Sequence, residues 1–305
     1  MFFGTSAFAV PSLEMLVTHG HAIVSCVTRP DRPRGRGLVR GPSPVKQAAL
    51  RLGVPLAQPE RLHGKLFEPL HPEVGVAAAF GQLIRRDLLD LLPHGVLGVH
   101  PSLLPAYRGA APVAWAILNG DATTGVTIFR LNERLDAGEI VSQAAVAIGP
   151  EDTAEMLTDR LAALGAQQLL GALDAIGSGR ARLTPQDESQ ATVAPKLTKA
   201  HGQIDWRAPA ETIARVIRAT VPWPGATTTW RGQPLKIWAA VRGEAQTPPG
   251  IVAGTIVHAA PEGVTVSTGK GTLVIRELQP PGRRRMSVRE FLAGHRVTVG
   301  EQLET

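Results

Sequence analysis

Apolar and polar positions along this chain change period several times, and each change marks an element. Residues 1–3 form a short apolar stub. Gly4-Thr5-Ser6 turns it into a stretch with Phe8, Leu13, Leu16 and Val17 on one helical face. Residues 21–28 read as a second strand and 42–52 as a short helix. Residues 74–80 are a nearly continuous apolar run, the pattern of a strand buried on both faces. Residues 84–92 are helical, 96–100 form another strand, and 126–131 and 140–148 add two more. Between 152 and 176, Leu157, Leu161, Leu164, Leu169, Leu173 and Ile176 recur at helical spacing. They predict one long helix, stopped at Gly177-Ser178-Gly179. Strands alternating with helices at this spacing predict βαβ units and a doubly wound parallel sheet, an α/β Rossmann-like domain.

The pattern then weakens. Residues 178–206 are polar and suggest a linker. Residues 208–219 are a helix, and about five short strands follow (227–230, 235–240, 254–258, 264–267 and 272–278), broken by Gly and Pro. Strands this short and evenly spaced predict a small β-barrel. The chain therefore divides into 1–177, a linker at 178–206, and a barrel domain at 207–305.

Composition narrows the class. The 305 residues are 44% hydrophobic and 19% charged. No apolar run reaches the ~20 residues of a membrane span. The first residues lack a basic leader segment, so a secretory signal is not expected. The single cysteine, Cys26, lies in an apolar run and reads as a small core hydrophobe, which suits a reducing cytoplasm. Charge is uneven. Residues 1–200 hold 19 basic against 18 acidic residues, a balance of +1; residues 201–305 hold 13 against 8, a balance of +5. A basic C-terminal third fits a polyanionic partner.

Residues 98–138 hold the densest chemistry. They contain Gly98-Val99-His100-Pro101-Ser102-Leu103-Leu104-Pro105, then Tyr107-Arg108-Gly109-Ala110-Ala111-Pro112, Gly125-Val126-Thr127-Ile128 and Leu135-Asp136-Ala137-Gly138. His100 follows a strand, at the sheet edge where open α/β folds bind ligands. Asp136 lies in a turn after another strand. A carboxylate beside an imidazole orients it and favours its charged form. There is no Gly-x-Gly-x-x-Gly, so a nicotinamide is not expected, and no metal-ligand spacing is present.

These strings resemble the 10-formyltetrahydrofolate-dependent formyltransferase family, and most closely its methionyl-tRNA branch. The resemblance covers about residues 1–303. It implies transfer of a formyl group from 10-formyltetrahydrofolate to the amino group of methionine on initiator tRNA, in support of translation initiation. His100 and Asp136 match two members of the family's catalytic trio. The resemblance places the folate against Ser102, Leu103, Leu104 and Pro105, with Phe80 and Gln82 lining the same pocket. The loop 29–44 carries five Arg and matches the family's tRNA-holding insertion, with Arg34, Arg36 and Arg40 as contacts and Arg36 at the matching Arg. Lys196-Leu197, Ile204-Asp205-Trp206, Pro222-Trp223-Pro224-Gly225 and the run from Gly232 to Trp238 match the family's oligonucleotide-binding-like C-terminal barrel. There Arg283, Arg284 and Arg285 are further phosphate contacts. A cytoplasmic monomer is expected.

Three departures stand out. The trio's third member, an Asn, is replaced by Gly98, and the chain's two Asn, Asn119 and Asn132, are far from it. Losing one oxyanion donor typically slows turnover by about 10²–10³. The family's Phe-Asn before Pro-Trp-Pro is Thr220-Val221. Several residues normally precede Phe2-Phe3-Gly4-Thr5. Two other readings stay open: a tRNA-binding homologue weakened in catalysis, and a related folate-dependent formyltransferase with another acceptor.

Overall fold

The computed structural model describes residues 1–34, 39–244 and 250–305. They fall into two compact units. The first comprises Met1–Pro112, Thr123–Ala147 and Thr158–Pro195; the second comprises Val113–Ala122, Ile148–Leu157 and Lys196–Thr305.

The first unit is built on a seven-stranded sheet. Its strands are β1 (Phe2–Gly4), β2 (Cys26–Val27), β3 (Leu56–Ala57), β4 (Gly75–Ala78), β5 (Val96–His100), β6 (Thr123–Arg130) and β7 (Ile140–Ala147). The order is β7-β6-β5-β4-β1-β2-β3. The five strands from β3 to β5 run parallel, as expected of βαβ units. β6 and β7 correct the all-parallel expectation, because each pairs antiparallel with its neighbour. The connection 131–139 is too short for a crossover, so β6 and β7 close as a hairpin. The second strand is shorter than its apolar run, and the helix expected over 84–92 is a single turn, Arg86–Leu89.

Phe3, Val27, Phe80, Leu88 and Val96 share one core cluster of this unit. Cys26 is fully buried, and burial pushes its thiol up to about 12, so it is inert at neutral pH. Helix α1 (Val10–Thr18) buries Leu13 and Leu16. Helix α2 (Pro44–Arg51) starts at Ser43, whose hydroxyl accepts the Lys46 N–H at 3.0 Å. The stretch expected as a linker has its own contacts. Val193–Ala194 pairs with Arg108–Gly109, and Thr184 bridges Ile140.

The second unit holds a curled antiparallel sheet of β8 (Ala226–Trp230), β9 (Gln233–Arg242), β10 (Ile256–Ala260), β11 (Gly263–Ser267), β12 (Thr272–Gln279) and β13 (Leu303–Glu304), in the order β10-β11-β12-β9-β8-β13. Gln302 bridges Thr255, next to β10, while β13 pairs with β8. The last strand therefore joins the two edges and closes the sheet. Trp206, Ile213, Ile237, Ile275 and Phe291 fill its core. Helix α3 (Ala210–Ala219) supplies Ile213 and Ile217 from one face.

Candidate functional site

His100 ends β5 and is 6% exposed. Its Nε2 lies 2.9 Å from the backbone oxygen of Tyr107. A carbonyl oxygen can only accept, so Nε2 carries the hydrogen, and the neutral ring keeps its lone pair on Nδ1. Nδ1 faces Asp136 Oδ2 at 3.8 Å. The structure thus brings together the two residues that the sequence places 36 positions apart.

Asp136 lies in the β6–β7 hairpin with φ +48°, a left-handed conformation that Asp tolerates better than most residues. A backbone N–H and a chain of connected side chains hold this turn. The Gly109 N–H donates to Asp136 Oδ2 at 2.9 Å. Gln186 Nε2 donates to the backbone oxygens of Asp136 and Gly138, at 2.9 and 2.7 Å. Arg108 Nε and Nη2 donate to Gln186 Oε1 at 3.0 and 2.7 Å, and its two terminal nitrogens reach both oxygens of Glu188 at 3.0 Å. Arg134 meets the same carboxylate at 2.7 Å. Hydrogen bonds from Arg108 and then Arg134 draw the Glu188 carboxyl down to about 2. The sequence reading missed Gln186 and Glu188, which sit in a polar stretch without a motif. The available signal was Arg108, a 90%-buried side chain in the structure that needs an anionic partner.

The turn 102–105 is fixed from behind. Thr127 Oγ1 donates to the Ser102 oxygen at 2.7 Å and accepts the Leu104 N–H at 3.0 Å. Gln143 Nε2 donates to the Leu104 oxygen and to Thr127 Oγ1, both at 2.8 Å. Ser102 Oγ donates to the Ala106 oxygen at 2.6 Å. Gly125 leaves room at this spot, because a Cβ there would run into the Ala144 backbone oxygen on β7 and would meet Leu103 Cδ2 at 2.5 Å. Ser102, Leu104 and Phe80 are buried, while Leu103, Pro105 and Gln82 are half-buried. Ser102 and Leu104 belong to the braced turn, and Phe80 packs edge-on against Phe3 in the core; the last three have the open surface.

Gly98 faces Phe129 in the β5–β6 register. A Cβ at Gly98 would lie well inside contact distance of Phe129 Cε1, with Phe129 Cζ and Leu131 Cδ1 each at 2.7 Å. No side chain fits there while that ring stays in place. Phe129 also meets the His100 ring edge-on, centroids 6.4 Å apart at 86°.

The basic residues divide. Arg36 lies outside the described residues. Arg34 and Arg40 lie on a two-stranded ribbon, Arg32–Arg34 against Val39–Gly41, with Arg34 opposite Val39 and Arg40 opposite Pro33. Arg283, Arg284 and Arg285 are exposed. Arg284 pairs with Glu290 at 2.6 Å, and Arg285 pairs with Glu277. The hydrogen bond from Arg284 leads the interactions that draw the Glu290 carboxyl down to about 2. Arg285 and Lys236 both lie over the Trp238 ring, 5.5 and 5.4 Å from its centre. Among the described residues, no group of His, Cys, Asp and Glu could hold a metal ion, and no helix is long and apolar enough to cross a membrane.

Comparison with known proteins gives this geometry a context. Residues 1–173 match the model of the formyl transferase family, and residues 196–296 match that of its C-terminal domain. The methionyl-tRNA formyltransferase of Roseiflexus castenholzii is 48% identical over 99% of this chain and 98% of its own length. Among solved structures, the N-formyltransferase of Helicobacter canadensis, in complex with folinic acid and dTDP-3-aminofucose, has a TM-score of 0.68 at 16% identity, over 92% of this chain and 98% of its own. HypX of Aquifex aeolicus, in complex with tetrahydrofolic acid, has a TM-score of 0.65 at 18% identity, over 98% of this chain and 50% of its own. This chain therefore spans about half the length of HypX.

Proposed function

Since this chain belongs to the formyl transferase family, we propose that it transfers the formyl group of 10-formyltetrahydrofolate to the methionine amino group of initiator methionyl-tRNA. It acts as a monomer in the cytoplasm and serves translation initiation. The observation that carries the reading is the His100–Asp136 pair, held beside a braced 102–105 turn. A relative that is 48% identical and named for this activity supports it.

The donor supplies the formyl carbon: its C–N bond breaks as the new amide C–N bond forms. The proton lost by the methionine amine ends on the donor nitrogen, so no outside oxidant or proton is consumed. His100 Nδ1, the ring nitrogen without a hydrogen, takes that proton and returns it. Asp136, 3.8 Å away, stabilises the imidazolium formed in between. Tyr107, by accepting from Nε2, keeps the reactive lone pair on Nδ1. The chain's residues fit a flat heterocyclic donor. Leu103 and Pro105 present half-buried apolar surface on a turn that its own hydrogen bonds hold rigid, and Gln82 adds a polar group. Ser102, Leu104 and Phe80 shape that surface from beneath.

The tRNA is held by phosphate contacts from Arg34, Arg36, Arg40, Arg283, Arg284 and Arg285. A steady-state assay with charged initiator tRNA and 10-formyltetrahydrofolate tests the reading. The expected product is formylmethionyl-tRNA. Tight tRNA binding without turnover would instead identify a tRNA-binding homologue. Turnover only with an amino sugar nucleotide would identify another acceptor.

A further inference from the structure

We propose that Phe129 is the positioning residue for His100, and that Gly98 is the residue that admits it. The inference rests on the formyl-transfer reading above.

β-strand geometry puts these three side-chain positions together. Gly98 and His100 are two apart on β5 and share a face. Phe129 faces Gly98 on β6, and Thr127 faces His100. Phe129 is 3% exposed, so its ring has little freedom to turn outward. Its edge takes the space where a side chain at position 98 would begin, together with the Leu131 methyl. A glycine opposite an aromatic ring on a neighbouring strand lets the ring fold across the backbone, and the ring covers the gap that the glycine leaves.

The ring also has a second neighbour. It stands nearly perpendicular to the imidazole at 6.4 Å between centroids, an edge-to-face arrangement of the attractive kind. His100 is tied at Nε2 by one hydrogen bond, which fixes one ring atom but leaves rotation about that contact. Phe129 supplies the lateral wall that stops this rotation. With the wall in place, Nδ1 stays aimed at the Asp136 carboxylate. The catalytic imidazole is therefore held by a hydrogen bond at one atom and an aromatic ring at its side.

The two positions then behave as a unit. Replacing Gly98 alone drives a side chain into the ring and displaces the wall of the imidazole. Replacing Phe129 alone leaves a void beside both Gly98 and His100. A side-chain amide at position 98 fits only after the ring has been made smaller.

The test uses the full-length enzyme in four forms: wild type, Phe129→Leu, Gly98→Asn and the double variant. Phe129→Leu is expected to lower kcat by about tenfold or more, with KM for both substrates within about twofold, because positioning acts on the reacting geometry and not on binding. Its His100 ring-proton resonances, assigned by their loss in His100→Gln, are expected to shift as the neighbouring ring current disappears. Gly98→Asn alone should fall below wild type, and adding Phe129→Leu to it should raise kcat by about tenfold. Unchanged kcat and unmoved His100 resonances in Phe129→Leu would overturn the proposal. So would Gly98→Asn that turns over as fast as wild type with Phe129 present. If Gly98→Asn does not fold, Phe129→Leu decides alone. The resonance measurement needs no substrate, so it judges Phe129 even if wild type shows no formylation, a result that would instead defeat the formyl-transfer reading.

Discussion

In the first unit, the residues proposed for chemistry are few, sheltered and tied to one another. His100 is 6% exposed, Asp136 is held by Gly109 and Gln186, and Gln186 is held by Arg108. In the second unit, the residues proposed for RNA contact stand in solvent. Arg284 and Arg285 already have carboxylate partners, Glu290 and Glu277. Water and salt screen the second group but hardly reach the first. A network of interlocked groups loses function through any one member, whereas a screened patch loses it by degrees, one charge at a time. The difference sets how each region should respond to substitution.

The strongest break is expected at the imidazole. His100→Ala should lower kcat by about 10²–10⁴-fold, the range of a lost general base, while the Kd for tRNA stays unchanged. Asp136→Ala should approach the same loss, and the double variant should be little worse than the poorer single, as for residues that work together. Steady-state kinetics with filter binding on the same preparations checks this; independent, multiplying losses would contradict it.

One step out, Gln186→Ala removes two of the hydrogen bonds that position the Asp136 turn. A displacement of about 1 Å at a reacting group can cost up to about 10²-fold, so kcat should fall between about tenfold and that limit. KM for the folate should hold, because Gln186 does not touch the 102–105 turn through any of its four hydrogen bonds described above. Full activity in Gln186→Ala would show that the turn holds its own shape.

The exposed patch should respond more gently. Replacing Arg283, Arg284 and Arg285 together by Ala should weaken initiator and elongator tRNA alike, by roughly tenfold at low salt. It should also flatten the salt dependence of log Kd by less than the ~3 that three free phosphate contacts would give. The shortfall is expected because Arg284 and Arg285 must first leave their carboxylates. kcat at saturating tRNA should not change. A salt slope identical to wild type would remove this turn from the interface.

The smallest effect concerns pH. The Glu188 carboxyl lies at about 2 in the fold against 4.5 in an unperturbed chain. A depressed carboxyl contributes stability that is present above pH 4.5 and is lost as pH falls through about 2. The Tm gap between wild type and Glu188→Gln should therefore be widest above pH 4.5 and should close toward pH 2. The gap should be modest, because half of the Glu188 side chain is in solvent. Thermal unfolding across that range at low salt measures it, and a gap that widens on acidification would contradict the assignment.

Much of this was legible in the residues. The long periodic helix, the buried run at β4 and the strand ending in His100 all follow from the spacing of apolar side chains. His100 and Asp136 stood out because short motifs surround them. The antiparallel hairpin β6–β7 did not, because local patterning carries no strand direction. Gln186 and Glu188 did not, because a polar residue is chosen there by partners about 50 to 80 positions away. Gly98 was legible as a departure. Its cause was not, since Phe129 reads as an ordinary apolar strand residue until the register places it opposite.

The clasp formed by Arg108, Gln186 and Glu188 has a consequence for how this protein can be recombined. The formyl transferase model ends at residue 173, and a chimera joined there would inherit His100, Asp136 and every recognisable catalytic string. It would leave Gln186 and Glu188 behind on the other parent. Such a hybrid would carry the full written signature with its carboxylate turn unbuttoned. A joint that keeps Gln186 and Glu188 with the Asp136 turn lies further along, after Pro195, the last residue of the first compact unit.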